Sequence, residues 1–128
     1  MLKINRILFP TDFSTCSKQA FPQALFLAKI YRAELHIVHV ITIHAGDAYD
    51  PEFDFPHLEE YNVHLEKHAM EETDQLTKEY QAGETKIIKV QERGYSPSAI
   101  IMQYGEDHYF MLLNLVPILH SMICMIMI

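Results

Sequence analysis

A chain of 128 residues has the length of one domain, and 49% hydrophobic against 21% charged residues is ordinary for a sequence that buries a core. The net charge of −7, with ten Lys and Arg that never form a run, argues against a nucleic-acid binder, because phosphate backbones require clustered cations. Two distant cysteines, Cys16 and Cys124, make neither a disulfide framework nor a zinc motif and fit a reducing, cytoplasmic setting.

The opening, Met1-Leu2-Lys3-Ile4-Asn5-Arg6, lacks the charged stretch and long apolar run of a secretory signal, so none is expected. Residues 4–9 are almost continuously apolar and read as a first strand buried on both faces. The turn Pro10-Thr11-Asp12-Phe13-Ser14 follows, and Ser14 is a good helix N-cap. Ala20, Ala24, Leu27, Ala28 and Tyr31 then recur at helical spacing, with Pro22 inside the pattern removing one backbone hydrogen bond. Residues 34–41 are the second strand. Strand, helix and strand in so short a span form a βαβ unit with two parallel neighbours. Ligands of such sheets bind beyond the carboxyl ends of the strands, which is where Asp12 and Val40 fall.

Residues 42–56 read as a loop carrying Gly46, Pro51, Pro56 and four acids. A long helix over about residues 57–81 shows an apolar stripe of Leu58, Tyr61, Leu65, Ala69, Leu76 and Tyr80. Its other side is charged, and Asp74 and Lys78 stand four apart as a helix-supporting pair. Gly83 ends it. Residues 85–91 are a third strand whose lysines suit a sheet edge. Gly94 turns the chain, Ser96 caps and Pro97 begins a third helix, and Ile100, Ile101 and Tyr104 face inward. Residues 109–116 can be a fourth buried strand, broken by Pro117. No glycine follows Gly105 and no charge follows Asp107.

Three constellations invite chemistry. Asp12 at the first strand's end can accept hydrogen bonds from a ribose or from a base amino group; alternatively Thr11, Asp12 and Ser14 only cap the helix, which Asp and Ser do well at its positive end. His64 and His68 lie one helical turn apart, a spacing that can hold a metal, although a solvated helix face accounts for it more simply. His36 and His39 fall on opposite faces of a strand and cannot grip one ion, so a packing role suits them. The twenty uncharged residues from 109 to 128 reach membrane-spanning length, but Asn114, Pro117, His120 and Ser121, with no flanking basic residues, favour a buried strand followed by an apolar segment that completes the sheet or meets a second subunit.

The stretch from Asn5 to Ser14 closely resembles the opening of universal stress protein (UspA-type) domains, as does the helix leading to Leu35-His36-Ile37-Val38-His39-Val40-Ile41; Gly94 to Ile101 resembles that family's third-strand-to-third-helix junction. The resemblance covers about residues 3–108. It implies a single α/β domain over residues 1–128, with an open, Rossmann-like parallel sheet in the order 3-2-1-4-5 and helices on both faces, the last strand being atypical. It also implies a homodimer, and binding of ATP or another adenine nucleotide without conventional enzymatic activity. Carried over residue by residue, Pro10, Thr11, Asp12, Phe13 and Val40 would hold the adenosine part. The family's phosphate-wrapping segment, Gly-x2-Gly-x9-Gly-Ser/Thr, has no counterpart here: Val-Pro-Ile-Leu-His-Ser follows Leu115. The sequence thus implies a stress-response protein with a partial nucleotide site. A non-nucleotide interaction protein that dimerises through its apolar end, or a truncated or frame-shifted product, is the alternative.

Overall fold

The computed structural model describes residues 3–43, 55–108, 111–112 and 125–127, the last two stretches and residues 55–58 by their backbone. The elements run β1 (Arg6–Pro10), α1 (Thr15–Tyr31), β2 (Glu34–Thr42), α2 (Phe55–Glu79), β3 (Ile87–Gly94), α3 (Pro97–Asp107), β4 (Met111–Leu112) and β5 (Met125–Met127). Through α3 the α/β alternation is as the sequence implies, with each boundary within a few residues of its expected place; of the strand expected over 109–116 only Met111 and Leu112 are among the described residues.

Local chemistry explains the helix ends. Ser14, in extended backbone, accepts the Ser17 N–H at 3.2 Å and caps α1. Arg32 closes α1 in the left-handed conformation, its N–H returning to Ala28 and Lys29 carbonyls. Ser96 caps α3 with Pro97 in the first turn, where its missing N–H costs nothing. After α2, Gln81 and Gly83 both adopt positive φ, so the chain reverses over two left-handed positions and not at the glycine alone.

The sheet order is β3-β2-β1-β5-β4. β1, β2 and β3 are parallel, with Phe9 opposite Ile37 and Ile37 opposite Lys89. β3 lies at the edge, as its lysines suggest. The other side corrects the expected 3-2-1-4-5 order: β5, not β4, lies beside β1, and it runs antiparallel to both β1 and β4. The connecting residues 113–124 contain Pro117, which disfavours the continuous crossover helix that a parallel neighbour usually requires, whereas an antiparallel neighbour requires none.

The sheet buries residues on both faces. Ile7, Phe9, Leu35 and Ile37 pack against Phe21, Ala24, Leu25 and Ala28 of α1 and Leu76 of α2. Leu8, Val38 and Val40 pack on the opposite face with Val90 and with Ile100, Ile101 and Tyr104 of α3. On α1 the buried stripe is rotated from the one expected, with Phe21 and Leu25 inside and Tyr31 exposed. On α2, Tyr61 is exposed and Thr73 is buried, its hydroxyl donating to the Ala69 carbonyl at 2.8 Å. That local bond removes the penalty of burying a hydroxyl. No helix among the described residues is long and apolar enough to cross a membrane.

Candidate functional site

The site begins where β1 runs out. The Thr11 N–H donates to the Val38 carbonyl at 2.9 Å and extends the β1–β2 ladder by one rung. Its buried hydroxyl lies 2.5 Å from Ser17 Oγ and accepts the Phe13 N–H at 3.0 Å. Asp12 Oδ1 accepts the Ser14 N–H at 2.9 Å. Each side chain thus catches the N–H two residues on, which folds the chain tightly over itself. The result forces Phe13 to φ +59°, a left-handed conformation that is rare for a bulky residue. Such outliers persist where the surroundings over-determine them, and they gather at functional sites.

The strained turn sets the Phe13 ring against His39, with centroids 4.8 Å apart. His39 Nδ1 donates to the Thr11 carbonyl at 3.0 Å, so strand, turn and imidazole form one connected unit. Beside it opens a cleft of about 380 Å³. Asp12, Phe13, His39 and Val40 supply one side; Lys18 of α1 and Leu65, His68, Ala69 and Glu72 of α2 supply the other. This volume is at the small end of the range of about 300–1,000 Å³ for small-molecule sites, on the scale of a nucleoside.

Charge in the cleft is ordered. Partial burial pushes the Asp12 carboxyl up, but hydrogen bonding to Ser14 and the neighbouring His39 outweigh it and hold the group below the usual carboxylate range. Asp12 is therefore an ionised acceptor on the rim. Glu72 is also held below its ordinary value, chiefly by the hydrogen bond from Lys18 at 2.9 Å. His68 Nε2 lies 3.9 Å from the same carboxylate. Lys18 and Glu72 therefore tie α1 to α2 across the back of the cleft.

A larger hollow of about 940 Å³ opens at the opposite end, where β2 and β3 begin, lined by Lys29, Arg32, Glu34, Glu84 and Lys86 among others. Two of its cations are engaged: Lys29 donates to the Gln81 carbonyl at 2.9 Å and Lys86 to Glu34 at 2.6 Å. Helix carboxyl ends converge there, and their partial negative charge disfavours anions. The smaller cleft, at the carboxyl ends of parallel strands, is the better candidate.

Of the residues singled out from the sequence, Asp12, Phe13 and Val40 border the cleft. Val40 packs with Leu8 and Val38 on the opposite face of the sheet, so it meets the cleft through its backbone. Pro10 and Thr11 are buried and lie behind the cleft lining; Thr11 acts by anchoring the turn and His39. Lys18, His39, His68 and Glu72 were not singled out for this site. The alternation of His36 and His39 was visible: His36 faces α3 and reaches the Tyr104 hydroxyl at 2.7 Å, while His39 faces the cleft. Nothing local distinguishes which of them meets a cavity. Among the described residues no group of three or more His, Cys, Asp or Glu able to hold an ion occurs, at His64 and His68 or elsewhere. Cys16 is exposed in the first turn of α1, and Cys124 lies outside the described residues.

The fold has close counterparts. Universal stress protein UspA from Lactobacillus plantarum superposes with a TM-score of 0.70 at 23% identity, covering 85% of this chain and 73% of its own. A universal stress protein family member from Burkholderia pseudomallei gives 0.61 at 16% identity, covering 83% and 75%. A universal stress protein solved in complex with cAMP gives 0.56 at 18% identity, covering 84% and 68%. No curated protein matches the chain in a sequence search. The profile of the universal stress protein family matches residues 3–113, nearly all of the chain that carries the β1 turn, the cleft and α3, and the chain belongs to that family.

Proposed function

We propose that this chain is a stress-response binding protein whose cleft takes the adenosine part of an adenine nucleotide such as ATP without gripping its phosphates. The observation that carries this reading is the ionised Asp12 on the rim of an apolar-walled, nucleoside-sized cleft beyond the carboxyl ends of β1 and β2. Leu65, Ala69, Ile41 and Phe13 offer apolar surface to a base, and Asp12 offers an acceptor to its amino group or to a sugar hydroxyl. Comparison supports the ligand class, since one structural relative was solved with cAMP. The phosphate side is weak. Residues 106–128 hold no glycine for a backbone cradle, and the Lys18 ammonium is already engaged by Glu72. In this reading the protein is a binding module and not an enzyme, and it works as a homodimer in the cytoplasm.

Thermal unfolding in the presence of adenosine, ATP and no ligand tests it. A ligand at ten times its dissociation constant stabilises by about 1.4 kcal/mol, a rise of a few degrees for a domain of this size. Adenosine and ATP should raise the midpoint equally, and Asp12→Ala should abolish the rise. A wild-type midpoint unmoved by either ligand overturns the reading and favours an interaction protein.

A further inference from the structure

His39 is the one imidazole on the sheet side of the cleft, and its geometry fixes which nitrogen carries a proton. Nδ1 lies 3.0 Å from the Thr11 carbonyl oxygen, which can only accept. Nδ1 is therefore the donor, and in the neutral ring the lone pair belongs to Nε2. Nε2 has no protein partner among the described residues. No buried side-chain nitrogen or oxygen among the described residues lacks a partner either, so Nε2 reaches accessible surface, and His39 borders the cleft. The Phe13 ring, 4.8 Å away, and the Thr11 bond together restrict the imidazole.

We propose that His39 is a specificity-determining residue: its Nε2 is a fixed acceptor that, together with the Asp12 carboxylate, selects a base bearing an exocyclic amino group. This rests on the nucleoside reading of the cleft and goes beyond it by naming the atom that discriminates. An amino group has two hydrogens to donate, and two acceptors face the cleft. A base with hydrogen in place of the amino group leaves both lone pairs unmatched. A keto group sets oxygen lone pairs against them. Sugar hydroxyls donate and accept alike, so an acceptor at Nε2 gives little discrimination among sugars.

The test is calorimetric binding of adenosine and of purine riboside, which has hydrogen where adenosine has its 6-amino group, to wild type, His39→Asn and His39→Gln. Asn places an amide nitrogen near the Nδ1 position and can keep the Thr11 bond, but has no atom at Nε2. Gln reaches the Nε2 position with an acceptor oxygen but gives up the Thr11 bond. Wild type should prefer adenosine by roughly tenfold for each of the two hydrogen bonds. His39→Asn should lose about tenfold of that preference, keeping only the share that Asp12 carries, and His39→Gln should keep most of it. A purely structural histidine gives the reverse pattern, with the preference surviving in Asn and lost in Gln, and that result overturns the assignment. Equal wild-type affinities for the two nucleosides overturn it while leaving the nucleoside site standing. Binding of neither by wild type removes the site and this assignment with it.

Discussion

His36 is the most demanding residue of the fold. It is 4% exposed, donates from Nε2 to Glu34 at 3.2 Å, and meets the Tyr104 hydroxyl at Nδ1 at 2.7 Å. A carboxylate only accepts, so Nε2 holds the hydrogen and, in the neutral ring, the tyrosine donates to Nδ1. Burial depresses the affinity of the ring for a second proton; Glu34 opposes this, and Arg6 and His108 add to it. With the folded value below the ordinary 6.5, the unfolded chain binds the proton more readily. The contribution of His36 to stability is thus full above that value and is lost as pH falls from there through the lowered folded value. Glu34, held low first by its hydrogen bond from Lys86, stays ionised across this window. Urea midpoints measured from pH 8 to pH 5 should fall on the acid side for wild type, and the fall should be shallower in His36→Gln. An unchanged slope in the variant would assign the acid sensitivity to other groups. Little of this was legible beforehand. The sequence showed that His36 and His39 alternate, but the Tyr104 and Thr11 partners lie 68 and 28 residues away. Ser14 and Ser96, by contrast, were readable because a cap is satisfied within three residues.

At the scale of elements, α2 illustrates how apolar burial and surface charge divide the work. Leu76 is 2% exposed beneath the sheet. Arg93 of β3 reaches Glu66 at 2.5 Å and Glu59 at 3.1 Å on the outer side. The ion pairs look tighter, yet exposed pairs contribute only about 0–1 kcal/mol, whereas truncating a buried leucine costs about 2–5 kcal/mol. Leu76→Ala should therefore lower stability by several times more than Arg93→Gln in denaturant unfolding. Comparable losses would mean that the Arg93 fork carries unusual weight. The apolar period of α2 was visible in sequence, but its partners were not. Asp74 pairs with Lys89 of β3 instead of Lys78 on its own helix, since a partner on another element competes with the one four residues along. The placement of β5 beside β1 escaped sequence reading for the same reason. Strand patterning reports burial, and it is silent on direction and on which edge a short strand will occupy.

For the molecule as a whole, β2 is the axis. It is flanked by β1 and β3, covered by α1 and α2 on one face and α3 on the other, and it contributes His39 and Val40 to the cleft. Backbone amides of β2 should consequently exchange with solvent more slowly than those of edge strand β3 in native-state hydrogen exchange. Equal protection would indicate that the edge is covered in solution, as by a second subunit. The parallel pairing of β1 with β2 and the position of the cleft followed from the βαβ pattern, and the order β3-β2-β1 from the family resemblance. The reversed direction of β5 carries a practical implication. Met127 lies beside Arg6 and Met125 beside Leu8, so β5 points its carboxyl end away from the cleft. A fluorophore or immobilising tether attached at Met127 would sit on the side remote from Asp12 and His39. Nucleoside titrations on a surface-captured sample should then match those made free in solution.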